Sequence, residues 1–310
     1  KNPHFVFSRI SFFFNLAYNK TIIRKMINTV VVHDKKSDFL ESSLRITSKN
    51  NKVYLIGNDS IKYLEKYKNI HFVDINKYFN MPKFKRYREK FEHFGDKDEY
   101  SYYFWFMRLF LIHEFMKDYS FDNIFSCDSD NILLHDVNAY PYKAKNAICI
   151  PPVWEPHWFA SSVHAGLITQ EFCEQYEMLY EDIFINKSQF NLIEDKILHH
   201  QTNPGGVCDM TLYHYIVEMG LVDMQNLLEP VLMNNDKFVF INNYANGEGS
   251  QSRTQYKTTR KSIKTYISKK NKTNLIYDEV NQEYVNFFNL HFQGKSKKYI
   301  NKKLEKKLIY

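Results

Sequence analysis

The chain of 310 residues contains little glycine, proline or cysteine, with nine, eight and four of each. This composition excludes a collagen-like chain and a small domain that is held together by disulfides. A chain of this length buries enough surface to fold without a metal or disulfide staple. The four cysteines are widely spaced and form no Cys-x-x-Cys pair, so we expect reduced, buried thiols and no zinc site.

Long apolar runs are also scarce, and none approaches the roughly 20 residues that a membrane-spanning helix needs. The nearest, 5–18, is interrupted by Arg9 and Asn15; we predict a packed N-terminal helix there, with a shallow membrane contact as the alternative. The basic segment 294–310 has apolar residues at near-helical spacing, which is typical of a solvated helix or of contact with an anionic membrane surface. We therefore expect a cytoplasmic protein, either free or peripheral at the inner face of a membrane.

Basic side chains exceed acidic ones by 42 to 35, a net charge of +7, which favours anionic partners without identifying one. With 44% hydrophobic and 17% aromatic residues, the composition is that of a folded chain. The lysines concentrate near the end and accompany no aromatic platform motif, so we expect no nucleic-acid partner. A non-catalytic, basic binding protein remains one alternative.

Apolar, β-branched segments alternate with amphipathic ones near the start of the chain. Segments 27–33, 52–56 and 70–73 are predicted strands, and helices are predicted between them, the first capped by Ser37. This alternation predicts parallel β-α-β units in an α/β sheet that binds ligands at the carboxyl ends of its strands. No Gly-x-Gly-x-x-Gly or P-loop pattern occurs in this region, which excludes both phosphate-binding fingerprints there.

A long apolar segment, 102–116, is predicted to be a helix buried on most sides. The charged, aromatic stretch 82–100 before it is predicted to be a mobile or inserted element. Arg108 lies in the middle of the apolar helix, where a guanidinium must find a partner or reach an anion. A structural ion pair with a residue such as Glu114 is the alternative to anion binding.

Two carboxylates, Asp128 and Asp130, follow the predicted strand 121–126. One residue apart, they would face opposite sides of a regular strand, but at a strand end both can converge on one cation. Hard divalent metals prefer such clustered oxygen ligands. An Asp-rich turn is the alternative.

The second informative segment is 289–297, which contains His291, Gly294 and Lys297. Histidine is a good metal ligand, glycine permits close approach of the backbone, and lysine offers a point charge to phosphate. Taken alone, this segment is also typical of a loop that precedes a basic tail.

Together the two segments resemble the motifs of the GT-A fold glycosyltransferases, and among them the retaining, glycogenin-like and galactosyltransferase-like family 8. In that family a D-x-D binds Mn²⁺ with the sugar nucleotide, and a C-terminal H-x-x-G-x-x-K closes over the diphosphate. His291, Gly294 and Lys297 match every specified position, although Lys298-Tyr299 stands where Pro-Trp is usual. By order of elements the resemblance covers roughly 27–299.

The resemblance implies a GT-A type α/β fold, with a Rossmann-like central mixed sheet and helices on both faces. We expect an N-terminal helical, aromatic segment (1–25), a nucleotide-sugar-binding and catalytic core (26–235) and a C-terminal segment that closes over the donor and ends in a basic tail (236–310). The expected contacts of the donor nucleotide, including two residues at the ends of the first two strands, are His33, Asn58, Arg108, Ser129, Gly294 and Lys297.

The resemblance also suggests residues near the transferred sugar. His164 and Gly166 lie in a stretch like the family's N-x-G strand, with His in place of Asn. Asp209 is the candidate for recognising the donor sugar or stabilising its reacting carbon, and a helix cap is its alternative role. The remaining expected sugar contacts are Gly205, Gly206, Trp154 and Trp158; the two tryptophans could equally fill the core.

These roles imply transfer of a sugar from a nucleoside diphosphate, expected to be UDP, to a glycan or other hydroxyl acceptor, with retention of configuration. Mn²⁺ held by Asp128, Asp130 and His291 would stabilise the departing diphosphate, with Mg²⁺ as the alternative ion. Asp130 and Asp209 are the predicted catalytic residues. A rival class is the haloacid-dehalogenase phosphatases, in which Asp128 would be the nucleophile, although their motif usually opens the domain.

Overall fold

The structure, a computed structural model, describes residues 26–153, 157–244, 255–259, 262–267 and 274–308. The predicted N-terminal segment 1–25 and Trp154 lie outside the described residues. The strands are β1 Thr29–Val32, β2 Val53–Gly57, β3 Ile70–Asp74, β4 Asn123–Cys127, β5 Asn131–Leu133, β6 Asn146–Cys149, β7 Ser162–Thr169, β8 Met224–Asn226, β9 Val231–Met233, β10 Asp236–Val239, β11 Thr265–Ile267, β12 Asn274–Asp278, β13 Glu283–Phe287 and β14 Asn289–His291.

Helices connect most of these strands in the first two thirds of the chain. The α-helices are α1 Leu40–Thr47, α2 Asn76–Phe79, α3 Pro82–Lys90, α4 Glu99–Asp118, α5 Gln170–Tyr180, α6 Asn191–His200, α7 Asp209–Glu218 and α8 Lys302–Leu308. Short 3₁₀ helices occur at Asp59–Lys66, Val137–Ala139 and Gly294–Tyr299, and a π-helical turn, Glu181–Ile185, follows α5.

The central sheet has seven strands in the order β3-β2-β1-β4-β7-β6-β8. Its first four strands are parallel, whereas β7 runs antiparallel to both β4 and β6. Alternate residues of β1 point to opposite faces: Val30 packs with α4 and α5, and Val31 packs with α1. The predicted α/β fold, with a central mixed sheet and helices on both faces, is confirmed.

Helix α4 confirms the predicted buried helix and extends it by three residues at its start and two at its end. Asp98 caps the helix, accepting hydrogen bonds from the backbone and hydroxyl of Ser101. The stretch 82–100, predicted to be a mobile or inserted element, is a packed helix and not a mobile segment in its first half. That half forms α3, which buries Phe84 and Tyr87 in the core, because its few apolar residues lie on one helical face.

The predicted cap of the first helix is also wrong. Phe39 precedes α1 and makes no side-chain cap. The hydroxyl of Ser37 instead lies 3.0 Å from Nε2 of His33, so this serine steadies a side chain at the end of β1.

A second sheet, in the order β11-β12-β13-β10-β9, is formed by the later part of the chain. The predicted boundary at 235 falls in the turn between β9 and β10, which pair antiparallel to each other. A separate two-stranded ladder pairs β14 with β5, placing His291 opposite Asn131. This ladder brings the C-terminal motif beside the two mid-chain carboxylates.

The C-terminal helix α8 packs on the protein through the apolar residues of the basic segment. Ile300 is 2% exposed, and Leu304 and Leu308 pack beside it. Glu305 forms an ion pair of 2.9 Å with Arg45 of α1. Ile300 is therefore covered by the protein, whereas Leu304 and Leu308 are partly covered, and contact with a membrane stays a prediction. Among the described residues, no helix has the length and apolar character to cross a bilayer.

Candidate active site

The two carboxylates lie on a tight turn between β4 and β5. The backbone N–H of Asp128 donates to the carbonyl of His164 in β7 (2.9 Å), and the N–H of Asn131 donates to the carbonyl of Asp128 (2.9 Å). The turn ends the regular alternation of the strand, so both side chains point to the same region. One donor atom each from Asp128, Asp130 and His291 lies within 4.8 Å of the others, as the sequence predicted.

His291 is held by its backbone and by one of its ring nitrogens. The N–H of Phe292 donates to the carbonyl of Asp130 at 2.9 Å, which fixes the strand beside the turn. Nδ1 of His291 is hydrogen-bonded to the carbonyl oxygen of Asn242, so Nδ1 carries the proton in the neutral ring. The lone pair of Nε2 then faces Oδ1 of Asp130 at 3.6 Å.

Two basic side chains neutralise these carboxylates. Arg108 of α4 donates to Oδ1 of Asp128 (2.7 Å) and to Oδ2 of Asp209 (2.8 Å). Lys297 lies 2.9 Å from Oδ2 of Asp130, and Gly294, with a φ of 57°, makes the turn into the 3₁₀ helix that carries this lysine. The alternative pairing of Arg108 with Glu114 is wrong, because Glu114 pairs with lysines on the far side of the helix.

The pKa values of the two carboxylates that Arg108 contacts are shifted in opposite directions. Burial raises the pKa of Asp128, but the surrounding positive charges, of which Arg108 contributes most, hold it below its usual value. Burial raises the pKa of Asp209 above its usual value, even though Arg108 acts in the opposite direction. Burial alone would lower the pKa of Arg108; Asp128 and Asp209 outweigh it, so the guanidinium stays charged.

Asp209 is the first residue of α7, and its carboxylate is buried, with 2% of the residue exposed. Cys208 is the N-cap, so the capping role is wrong for Asp209. Besides Arg108, the hydroxyl of Tyr213 donates to Oδ2 at 3.3 Å. Asp209 and Asp128 are thus joined through one guanidinium, although they belong to different elements.

The donor set suits a divalent ion. Two ligands of one ion with bonds of about 2.1 Å lie about 3 Å apart when the angle between them is near 90°. The 3.6 Å between Nε2 of His291 and Oδ1 of Asp130 is compatible with that spacing after a small adjustment. Arg108 contacts Oδ1 of Asp128, and Lys297 contacts Oδ2 of Asp130. The other oxygen of each carboxylate is therefore the candidate ligand atom.

A cavity of about 330 Å³ opens beside this cluster at the carboxyl end of β1. Phe39, Tyr100, Phe104 and Trp105 supply its aromatic wall, and Tyr100 stacks on Phe104 with ring centroids 6.2 Å apart. The polar lining consists of His33, Asp34, Lys35, Ser37, Ser101, Arg108, Asp128, Ser129, Asp130 and Lys297. Apolar walls with a few convergent charges are typical of small-molecule sites.

Among the expected nucleotide contacts, His33 and Ser129 line the cavity and are joined to each other. Oγ of Ser129 lies 2.9 Å from Nδ1 of His33, and burial lowers the pKa of this histidine. Asn58 does not line the cavity. Its side chain instead caps the 3₁₀ helix by accepting from the N–H of Ser60 (3.0 Å) and donates to the carbonyl of Asp34.

The expected sugar contacts lie at different depths. Gly166 is buried in β7 opposite Ser126, where an added Cβ would come within 3.1 Å of Ile148. His164 is also buried in β7, and its ring stacks on that of His291 with centroids 4.2 Å apart. Burial, followed by the effect of His291, lowers the pKa of His164 well below its usual value. His164 therefore contacts the candidate metal ligand His291 from inside the sheet, whereas Gly166 packs within the sheet itself.

Gly205 and Gly206 form a close backbone crossing with residues 94–95. An added Cβ on Gly206 would approach the carbonyl oxygen of Phe94 to 2.3 Å, and one on Gly205 would approach the ring of His200 to 2.7 Å. Trp158 lies beyond that ring, 5.2 Å from it by centroids, and is 47% exposed. Of the three residues, Trp158 presents a surface that a ligand can reach.

Sequence reasoning missed the aromatic wall, although a signal for it exists. Ser101, Phe104, Trp105 and Arg108 all line the cavity and follow helical spacing. Once Arg108 is taken as a site residue, residues three, four and seven positions before it share its face. Tyr213 and the carbonyl of Asn242 carry no comparable local signal, since their partners are distant in sequence.

No family model matches this chain, and no curated protein matches it by sequence. Solved structures do match, 88 chains in all, and structures titled as glycosyltransferases are among them. One is the apo form of mouse xyloside xylosyltransferase 1, with 15% identity over 66% of this chain and 85% of that one and a TM-score of 0.43. Another, titled PaToxG glycosyltransferase, has 14% identity over 63% and 70% of the chains and a TM-score of 0.39. The glycosyltransferase GlyE of Streptococcus pneumoniae TIGR4 has 13% identity over 65% and 45%, with a TM-score of 0.34. At this level of likeness we base the functional proposal on the residues of the site.

Proposed function

We propose that this protein is a metal-dependent glycosyltransferase that moves a sugar from a nucleoside diphosphate to a hydroxyl acceptor. The observation that carries the proposal is the convergence of Asp128, Asp130 and His291 beside the aromatic-walled cavity, with Arg108 and Lys297 in contact with the two carboxylates. Such a site offers an ion and a lysine to a diphosphate, and aromatic faces to a base.

The chemistry follows from where charge develops. Breaking the bond between the anomeric carbon and the diphosphate leaves the electron pair on a phosphate oxygen and positive charge on the sugar. A divalent ion held by Asp128, Asp130 and His291 supplies Lewis-acid stabilisation of that phosphate. Lys297 turns from Asp130 toward the diphosphate and adds a second positive charge. Arg108 holds the carboxylates of Asp128 and Asp209 in fixed positions, and negative charge near the reacting carbon would stabilise the positive charge that develops there.

Three finer features of the proposal are UDP as the nucleotide, Mn²⁺ as the ion and retention of configuration. The family resemblance as a whole suggests UDP, and the D-x-D together with the mixed carboxylate and imidazole ligands suggests Mn²⁺. Retention comes from the resemblance of residues 291–297 to the H-x-x-G-x-x-K motif. The aromatic wall of the cavity supports a planar base such as uracil, because a flat ring gains most from stacking on Tyr100 and Phe104.

For the acceptor we propose a glycan bound near Trp158. A series of contacts connects this tryptophan to the cavity. The ring of Trp105, in the cavity wall, lies 4.9 Å from the ring of Tyr102 by centroids. The hydroxyl of Tyr102 in turn donates to the carbonyl of Gly205 at 3.3 Å. Gly205 lies against His200, which contacts Trp158. An exposed aromatic face next to hydrogen-bonding imidazoles suits a pyranose ring.

The test is a thermal-shift panel of nucleoside diphosphates and UDP-sugars, each with and without Mn²⁺. We expect UDP to raise the melting temperature only when Mn²⁺ is present, because ligands that bind the folded state stabilise it by mass action. One UDP-sugar should then release UDP in a Mn²⁺-dependent assay. The absence of any metal-dependent shift would reject the proposal, and Asp128-dependent hydrolysis of p-nitrophenyl phosphate would support the phosphatase class in its place.

A further inference from the structure

His164 touches both halves of the candidate metal site, although it is not a ligand in the cluster. Its carbonyl oxygen accepts hydrogen bonds from the backbone of Asp128 (2.9 Å) and from the side chain of Asn131 (2.8 Å). Its ring stacks on His291 with an angle of 16° between the two planes. One residue in the middle of β7 thus contacts the mid-chain turn and the C-terminal strand.

The ring of His164 is itself held firmly. Its Nδ1 lies 2.8 Å from Oγ of Ser162, two positions earlier on the same face of β7. The residue is 3% exposed, so there is little room for the ring to move into solvent. A fixed, flat surface therefore lies against one face of the His291 imidazole.

This contact matters because an imidazole has a broad torsional preference about its outer side-chain bond. The hydrogen bond from Nδ1 of His291 to Asn242 holds one edge of the ring but leaves it free to tilt about that bond. A stacked ring 4.2 Å away opposes the tilt and keeps Nε2 directed toward Asp130. Residues that orient a ligand in this way set metal affinity without binding the metal.

We propose that His164 is a positioning residue, whose ring fixes the plane of His291 and so sets the affinity of the site for its divalent ion. The inference rests on the proposed function, because it requires an ion at Asp128, Asp130 and His291. It goes beyond that function in assigning the histidine in β7 to the ion rather than to the transferred sugar.

The experiment compares His164→Leu with His164→Phe in the full chain. Leucine has a similar volume but no flat face, whereas phenylalanine keeps a ring that can stack; both retain the backbone carbonyl that holds the turn. Mn²⁺ is titrated calorimetrically in the presence of saturating UDP. We expect His164→Leu to raise the Kd for Mn²⁺ about 10- to 100-fold, and His164→Phe to stay within about threefold of the unaltered protein.

His214→Leu is the matched control, because His214 of α7 also packs against an aromatic ring, that of Phe159, with centroids 4.6 Å apart and an angle of 32° between the planes. Its Kd for Mn²⁺ should not change. Saturating Mn²⁺ should restore turnover of UDP-sugar in His164→Leu, which a loss of folded protein would not allow. If phenylalanine is too large for β7, seen as a lower melting temperature without metal, His164→Asn supplies a smaller planar group and should give an intermediate Kd.

Equal affinities of the leucine and unaltered proteins would overturn the positioning role while leaving the proposed function intact. Equal weakening by leucine and phenylalanine would also overturn it, because it would show that the imidazole nitrogens and not the stacked face are needed. Failure of the unaltered protein to bind Mn²⁺ with UDP would instead reject the proposed function, and the positioning role with it.

Discussion

Two clusters in this protein have the same inventory of side chains: two carboxylates, one imidazole and two basic residues. The strand-end cluster consists of Asp128, Asp130, His291, Arg108 and Lys297. The helix cluster, between α3, α4 and α5, consists of His113, Glu114, Glu177, Lys83 and Lys117. In both, the candidate ligand atoms of the acids and the histidine lie within 4.8 Å of one another.

The two clusters differ in what their charged groups contact. In the helix cluster the ring of His113 lies directly against Glu177 at 2.8 Å, and Lys83 bridges Glu114 and Glu177. The ammonium group of Lys83 therefore takes the place that a metal ion would need. In the strand-end cluster Nδ1 of His291 donates its proton to the backbone carbonyl of Asn242. A cavity opens beside this cluster. Residue types alone thus do not distinguish the two clusters; the partner of the imidazole and the adjoining cavity do.

The largest expected difference between the clusters is in catalysis. Asp130→Asn should lower the turnover of UDP-sugar at least about 100-fold, because it removes a ligand of the ion that stabilises the leaving phosphate. Glu177→Gln should change turnover less than about threefold, since the helix cluster contacts no substrate in the proposed function. UDP release at saturating Mn²⁺ measures both. Comparable losses in the two variants would contradict the distinction.

For stability, a change in the helix cluster should have a larger effect than it has on turnover. Glu177→Gln should lower the free energy of unfolding by about 1–3 kcal/mol, because it removes the charged partner of His113 and one of the two charged partners of Lys83. Urea unfolding measures the change. Glu174→Gln, an exposed acid on the same helix, is the control and should stay within about 0.5 kcal/mol. A loss no greater than that of the control would show that the helix cluster is not a structural unit.

The unaltered protein and Glu177→Gln should also differ in how their stability depends on pH. Burial raises the pKa of Glu177, but its bonds to His113 and Lys83 outweigh burial and leave it below its usual value of 4.5. The unfolded chain then binds the proton more readily, so the stabilisation is complete above pH 4.5 and is lost as pH falls through the lower pKa of the folded state. Between pH 6 and 3 the unaltered protein should lose more stability than Glu177→Gln. Parallel losses would place the acid sensitivity elsewhere.

The smallest effect is expected at Lys297, whose side chain is 41% exposed. Without nucleotide its ammonium competes with a metal ion for Asp130. Lys297→Met should therefore raise the affinity for Mn²⁺ alone about threefold, the size expected of a partly exposed ion pair, and lower the affinity for UDP with Mn²⁺ by a similar factor. Calorimetry with Lys298→Met as control measures both. An unchanged affinity for Mn²⁺ would mean that the lysine does not compete.

The sequence predicted the parts of the molecule that depend on short-range patterns. The first three strands, helix α4 and the position of Asp128 and Asp130 after a strand follow from apolar periodicity and from turn residues. The grouping of His291 with these acids came from a motif resemblance, since periodicity does not pair residues so far apart. The second sheet escaped prediction because strands such as β10, β12 and β13 mix charged and polar residues with apolar ones and lack the apolar runs that predicted β1 and β2.

The ion pairs of Arg108 show where sequence reasoning ends. Its partners are 20 and 101 positions away, and nothing in the spacing of charges distinguishes them from Glu114, six residues along the same helix. Only the packing of α4 against β4 and α7 determines that choice. Ser37 is a similar case. A serine shortly before a helix predicts a cap, but the hydroxyl of Ser37 lies beside the ring of His33 instead.

The ladder between β5 and β14 has a consequence for how the protein acquires activity during synthesis. Asn289 donates to Asn131 at 2.8 Å, and these residues are 158 positions apart in the chain. A ribosome-bound chain that has already folded its whole central sheet still lacks His291 and Lys297. We therefore expect the nascent protein to lack the proposed activity until residues 289–297 have emerged and closed this long loop.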